Sequence, residues 1–317
     1  VTATVGPFKG DVEAAYAHCR AVTRQSRSSF YAGMQMLPSE TRDGIFALYA
    51  WARRVDDLAD GCGERAYALA ALERERDLLH GLRDGLLDQG ASRDPVAVAL
   101  ADCVSRHEVP IEDLEAILEG CLMDVEGRHY ATFEDLMVYC DRVAGAVGRA
   151  AVCVFGSSEP VLARELAGSL GRGMQLVNIL RDIHEDWSKR SRVYIPTEDL
   201  ELCGAYGSFG SILSDPGQEK VLQEVVALEA GRARRLLQEG SKVADHLSAR
   251  SRPCVRAMAT SYIRLLDAVE SGSYGNGTHR GGLGRFVRLA ATGLGAVAGR
   301  LGVWPLRYRS SAESAAQ

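Results

Sequence analysis

Apolar residues recur at three- and four-residue spacings along most of the chain, the spacing that lines one face of a helix, and no segment alternates as a half-buried strand would. The pattern predicts helices over roughly 11–26, 39–59, 64–88, 94–107, 110–124, 132–155, 160–187, 218–246, 251–272 and 283–301. Local punctuation supports these limits. Leu37-Pro38-Ser39-Glu40 sets a serine cap before one run, and Asp60-Gly61 closes it. Gly156-Ser157-Ser158-Glu159-Pro160 opens a long helix, and Ile195-Pro196-Thr197 starts a new element after a loop. No linker divides the chain and no repeat is visible, so the pattern predicts one all-α domain over 1–282, followed by a basic helix and tail over 283–317.

Composition narrows the class. With 46% hydrophobic and 25% charged residues in 317, the chain reads as globular with a sizeable core. The formal net charge of −5 gives no basic footprint for nucleic acid, and none is expected as a partner. No apolar run is long enough to span a bilayer, and the start lacks the basic-then-apolar order of a secretory signal. The eight cysteines stand singly, with no C-x-x-C pair or zinc spacing, as in a reduced, cytoplasmic protein. Charge changes at the end: no Asp or Glu occurs from Ser271 to Ala312, where arginines alternate with apolar residues. Two readings of that stretch stay open, a peripheral contact with the inner face of an anionic membrane and a last helix packed on the body.

Two helices carry the candidate chemistry. At 100° per residue, Tyr49, Arg53, Asp56 and Asp60 fall on one face, with Asp57 at its edge. Gln175, Asn178, Asp182 and Asp186 form a second face backed by Leu176, Val177, Ile179, Leu180 and Ile183. Carboxylates one turn apart repel unless a cation or solvent intervenes. Mg²⁺ takes oxygen ligands, one or two carboxylates per ion plus substrate phosphates and water. Two such faces opposite each other suit a diphosphate that must leave, with an apolar interior to keep the resulting cation dry. Arg53, Arg181 and Arg192 lie close in sequence to the acids and are candidates for the phosphate oxygens.

These residues resemble the squalene and phytoene synthase family of head-to-head prenyl transferases. The resemblance runs from about Tyr16 to Arg280 and rests on an ordered set: Ser28-Ser29-Phe30-Tyr31, Arg53-x-x-Asp56-Asp57-x-x-Asp60, Gly120-Cys121-Leu122-Met123-Asp124, Tyr139-Cys140-x-x-Val143-Ala144-Gly145-x-Val147-Gly148, Gln175-x-x-Asn178-Ile179-Leu180-Arg181-Asp182-x-x-x-Asp186, and Arg192-Val193-Tyr194-Ile195-Pro196. It implies a single-domain isoprenoid synthase (class I terpenoid synthase) helical bundle around a central cavity. It also implies several Mg²⁺ ions held by Asp56, Asp60, Asp182 and Asp186, with Asn178 in the same site. Tyr139 and Arg53 would be catalytic. Ser28, Ser29, Phe30, Tyr49, Val143, Gly148, Gln175, Asn178, Arg181, Arg192, Tyr262 and Arg280 would bind substrate. The implied reaction joins two prenyl diphosphates and hands a product to downstream isoprenoid-pathway enzymes.

Ser28-Ser29, where many phytoene synthases carry a basic residue, resembles the bacterial presqualene diphosphate synthases of the hopanoid pathway, which implies farnesyl diphosphate as donor and presqualene diphosphate as product, with onward conversion to squalene left open. A phytoene synthase acting on geranylgeranyl diphosphate is the alternative. No Gly-rich nicotinamide fingerprint is present, and NADPH is not expected if the reaction stops at presqualene diphosphate. Chain elongases, terpene cyclases and a non-catalytic helical assembly protein are rival readings. The first two differ at the second acidic face, and the third has no need of two complete acid sets.

Overall fold

The computed structural model describes residues 9–26, 31–61, 64–85 and 91–272. These residues belong to one compact unit and are helical throughout, with a lone antiparallel bridge between Ser157 and Leu247. The sequence readings that fall on Ser28, Ser29, Phe30, Cys62, Arg280 and the segment 283–317 lie outside the described residues. Among the described residues no helix is long and apolar enough to cross a membrane. The seven described cysteines carry free thiols.

In chain order the helices are α1 Lys9–Gln25, α2 Tyr31–Met34, α3 Ser39–Asp60, α4 Arg65–Arg83, α5 Pro95–His107, α6 Ile111–Glu126 and α7 Phe133–Cys140. After them come α8 Ala146–Phe155, α9 Pro160–Arg190, α10 Thr197–Leu202, α11 Phe209–Ser214, α12 Glu219–Gly240, α13 Val243–His246 and α14 Arg252–Glu270. The periodicity located the long ones. The short helices α2, α10 and α11 fall outside the expected runs, α4 ends at Arg83 rather than 88, and three further details differ. Ser39 is the first helical residue of α3 and makes no capping bond; Pro38 takes the cap position with extended backbone. The run 218–246 breaks after Gly240, which leaves α13 as a separate short turn. The run 132–155 is interrupted by a π-helical turn over Asp141–Gly145.

Helix α9 is the spine of the fold, 31 residues and about 46 Å long. It packs against α12 on one side and against α8 and the π turn on the other. Two glycines make the second contact possible. A Cβ on Gly171 would lie 2.2 Å from the Ala144 carbonyl oxygen, and one on Gly148 would lie 2.4 Å from that of Ala167. Either would push backbone away from backbone. The π turn is also pinned by charge. Arg149 grips both oxygens of Asp141 at 2.9 and 3.0 Å, and Arg172 adds a bond of 2.7 Å to the same carboxylate. Arg149 further reaches the buried Asp113 at 2.9 Å, where Arg164 joins at 2.8 Å. Helix α3 buries Phe46, Trp51 and Val55 completely against α1, α5 and α6. Its opposite face carries Tyr49, Arg53, Asp56 and Asp60.

Candidate active site

Helices α3, α6, α8, α9 and α14, with the π turn, enclose a cavity of about 410 Å³. Its walls are mostly apolar, with Ile45 and Leu48 from α3, Leu114 and Ile117 from α6, and Met258 from α14. The polar groups on the wall include Tyr49, Arg53 and Asp56 on α3, Asp124 on α6, Tyr139 on α7, Gln175 and Asn178 on α9, and Tyr262 on α14. Val143 and Gly148 line it as well. Nine of the residues singled out from sequence therefore share one cavity. Gly145 is not on this wall; a Cβ there would meet Asp141 at 2.5 Å, so its smallness makes room for the Asp141 ion cluster.

Asp60, Asp182 and Asp186 continue the two acidic faces beyond the cavity wall, each joined to an arginine. Arg192 holds one oxygen of Asp60 at 2.6 Å and Arg190 holds the other at 2.9 Å. Arg190 also reaches Asp186 at 3.4 Å. Arg181 binds its neighbour Asp182 through Nε at 2.8 Å and again through Nη2. Arg53 spans Asp57 at 2.6 Å and Asp56 at 3.4 Å. Both predicted acid faces are thus half-buried, and they are tied across at Asp60, which pairs with Arg190 and Arg192 at the end of α9.

The crowding shows in the acidities. Asp56 is pushed up to about 6, first by burial and then by Asp60, with Arg53 opposing and Asp124 adding to the rise. Half of its side-chain surface is open, yet it sits in a concave wall that restricts its hydration. Asp186 also rises to about 6, through burial and then Asp182, against the pull of Arg190 and Arg192. Asp124 adds to the rise of both Asp56 and Asp186, one on each acidic face. Among the described residues no three His, Cys, Asp or Glu side chains already converge as a metal-ligand set. Guanidinium groups pair with these acids.

Asp124 is the residue that sequence reasoning left without a role. It accepts a hydrogen bond from Tyr194 at 2.7 Å on one oxygen and from Tyr139 at 2.9 Å on the other. The rings of Tyr139 and Tyr194 stack with centroids 5.1 Å apart, and Tyr130 packs on both. Burial raises Asp124 above the ordinary carboxylate value, while Arg192 and the two hydroxyl donors hold it down. Burial, then Asp124, keeps Tyr139 far above its ordinary value, so its hydroxyl stays protonated. On α9, Asn178 accepts a bond from Tyr262 at 3.2 Å and donates to Gln175 at 3.4 Å. That link holds α14 to the second acidic face. Asp124 and Tyr194 lie inside segments that carried the family resemblance, but one acid on an apolar helix and one loop tyrosine have no spacing that betrays them. Arg190 gave no signal beyond standing four residues after Asp186.

The squalene/phytoene synthase family matches residues 23–285. Phytoene synthase 1 of Arabidopsis thaliana chloroplasts is 36% identical over 284 residues, 87% of this chain and 65% of that enzyme, so the chain spans about two thirds of the plant protein. The phytoene synthase of Mycobacterium tuberculosis is 33% identical over 263 residues, 82% of this chain and 83% of that enzyme. Among solved structures, a dehydrosqualene synthase in complex with ligand superimposes with a TM-score of 0.76 at 25% identity, covering 92% of this chain and all of that one. The squalene synthase HpnC from Alicyclobacillus acidocaldarius gives 0.73 at 25% identity, covering 85% and 98%. The all-α architecture is that of these isoprenoid synthases, and the chain belongs to the squalene/phytoene synthase family, whose members are prenyl-transferring enzymes.

Proposed function

We propose that this protein binds two prenyl diphosphates, ionises one, and joins the two head to head with release of diphosphate. The observation that carries this reading is the meeting of two aspartate faces and their arginines with the polar wall of an apolar cavity.

The donor set fits magnesium. It consists of oxygens only, from Asp56, Asp60, Asp182 and Asp186, with Asn178 beside them. Mg²⁺ needs one or two carboxylates per ion and completes its shell with water and substrate phosphates, so a preformed cluster of three acids is not required. When bound, Mg²⁺ neutralises the departing diphosphate. The protein's own groups do the rest. Arg53, Arg181 and Arg192 would hold the phosphate oxygens. The apolar walls from α3, α6 and α14 keep water from the allylic cation. Tyr139 donates its proton to Asp124 in a hydrogen bond, which leaves an oxygen lone pair for the cavity. As the cyclopropane closes and the cation loses a proton, Tyr139 oxygen accepts it while its own hydroxyl proton passes to Asp124.

We assign farnesyl diphosphate as donor and presqualene diphosphate as product. Ser28-Ser29 supports this, and the names of the two structural relatives, squalene and dehydrosqualene synthase, support the donor. A second reading, phytoene from geranylgeranyl diphosphate, is favoured by the higher identity, 36% and 33%, to phytoene synthases. Incubation with each donor, with Mg²⁺ and with or without NADPH, followed by mass identification of the lipid, decides between them. The expected result is presqualene diphosphate from farnesyl diphosphate without reductant. Faster consumption of geranylgeranyl diphosphate with phytoene as product establishes the second reading. Turnover of neither donor would remove both.

A further inference from the structure

The four candidate metal-binding aspartates do not share their arginines evenly. Among the described residues, Arg190 alone forms ion pairs to an acid on each of the two helices, with Asp60 on α3 at 2.9 Å and Asp186 on α9 at 3.4 Å. Arg192 takes the remaining oxygen of Asp60 at 2.6 Å. Each oxygen of Asp60 therefore pairs with a guanidinium, and a cation binding Asp60 competes with both arginines for that carboxylate. The local fold explains the pair. Arg190 is the last residue of α9, and Ser191 turns the chain with φ of 53°, sending Arg192 back toward the same carboxylate. Two cations at a helix C-terminus are also favoured by the helix dipole.

The two arginines differ in how firmly they are held. Arg192 is 14% exposed, and its environment includes Asp124 and Tyr194 as well as Asp60. Arg190 is 34% exposed and lies at the open end of the helix. It has solvent to swing into, and Arg192 does not. Resting on the reading of these acids as a magnesium site, we propose that Arg190 is a displaceable internal counter-ion. It bridges the two acidic helices while no divalent cation is present and leaves when cation and diphosphate arrive together. Its departure removes one positive charge from Asp60 and Asp186 and frees a guanidinium beside an incoming diphosphate. Cation alone must compete against the bridge, whereas cation with diphosphate is helped by it. Arg190 thereby couples the two binding events, so that the site does not load metal without substrate.

Calorimetric titration of the full-length protein with Mg²⁺, with and without inorganic pyrophosphate, tests this. Arg190→Gln is expected to bind Mg²⁺ alone roughly three- to tenfold more tightly than wild type, as follows from removing two partly exposed ion pairs. The enhancement of Mg²⁺ binding by pyrophosphate should shrink by a similar factor. Arg190→Lys, which keeps the charge and loses the fork, should fall between the two. Lys189→Gln supplies the control: Lys189 is 65% exposed and pairs with Glu185 on α9, so it removes the same charge without touching the bridge and should match wild type. Arg190→Gln binding Mg²⁺ alone no better than wild type would overturn the proposal, as would Lys189→Gln reproducing its effect. Those results leave the metal site standing. Absence of Mg²⁺ binding in the wild type even with pyrophosphate would instead remove the metal site, and the proposal with it.

Discussion

Replacing Tyr194 with phenylalanine is the sharpest perturbation of the Asp124 centre, because it deletes one oxygen and keeps the stacked ring. The lost bond is the 2.7 Å donation to one oxygen of Asp124, while Tyr139 retains the other oxygen at 2.9 Å. A hydrogen bond to a charged group contributes about 1.5–3 kcal/mol. At about 2 °C per kcal/mol for a chain of this size, the melting temperature should fall by roughly 3–6 °C. The sign of the pH dependence follows from the acidity of Asp124. Burial raises its folded value above 3.8, so its contribution to stability is fully present below pH 3.8 and is lost as pH rises through the raised value. The Tyr194 bond opposes that rise, and it stabilises only the ionised carboxylate. The gap between Tyr194→Phe and wild type should therefore be largest at pH 8 and narrow toward pH 4.5. Thermal unfolding across that range is the assay. An equal gap at both ends would refute the assignment of an ionised Asp124 held by two tyrosines.

Asp60→Asn or Asp182→Asn should abolish Mg²⁺-dependent diphosphate release from a prenyl diphosphate while circular dichroism stays unchanged; normal turnover would take that residue out of the site. Gly171→Ala sets a Cβ 2.2 Å from the Ala144 carbonyl oxygen and should cost about 1–3 kcal/mol in urea unfolding, whereas a neutral result would mean that α9 and the π turn are not in contact. Asp141→Asn weakens the grip of Arg149 and Arg172 and should destabilise by about 1–3 kcal/mol at neutral pH. Those arginines hold the Asp141 carboxyl below 3.8 against the opposing effect of burial, so its stabilisation is present above pH 3.8 and disappears as pH falls through the lower folded value. The variant and wild type should then converge in acid.

The long helices were legible because each buries a stripe at helical spacing, and that stripe is written in the chain whatever surrounds it. The two acidic faces were legible for the same reason, since Asp56 and Asp60, or Asp182 and Asp186, stand one turn apart. The π turn was not, because it adds a single residue to one turn, and the apolar spacing of 132–155 survives that insertion. What selects it is tertiary: Asp141 facing Arg149 and Arg172, and Gly171 admitting the Ala144 carbonyl. The glycine at the end of α12 is a tertiary requirement too, since a Cβ on Gly240 would sit 2.2 Å from the Leu170 nitrogen. Asp124, Tyr194 and Arg190 reach partners up to 130 positions away in sequence, and no local pattern encodes such pairs.

The account stands on one arrangement, two aspartate faces on α3 and α9 sharing a cation–diphosphate cluster above an apolar cavity. Anomalous scattering from crystals grown with Mn²⁺ and an unreactive farnesyl thiodiphosphate locates such a cluster directly. The account predicts manganese peaks between Asp56/Asp60 and Asp182/Asp186, with the prenyl chain running into the cavity past Val143 and Ile117. Peaks bound to one helix alone, or a prenyl chain lying outside the cavity, would contradict it.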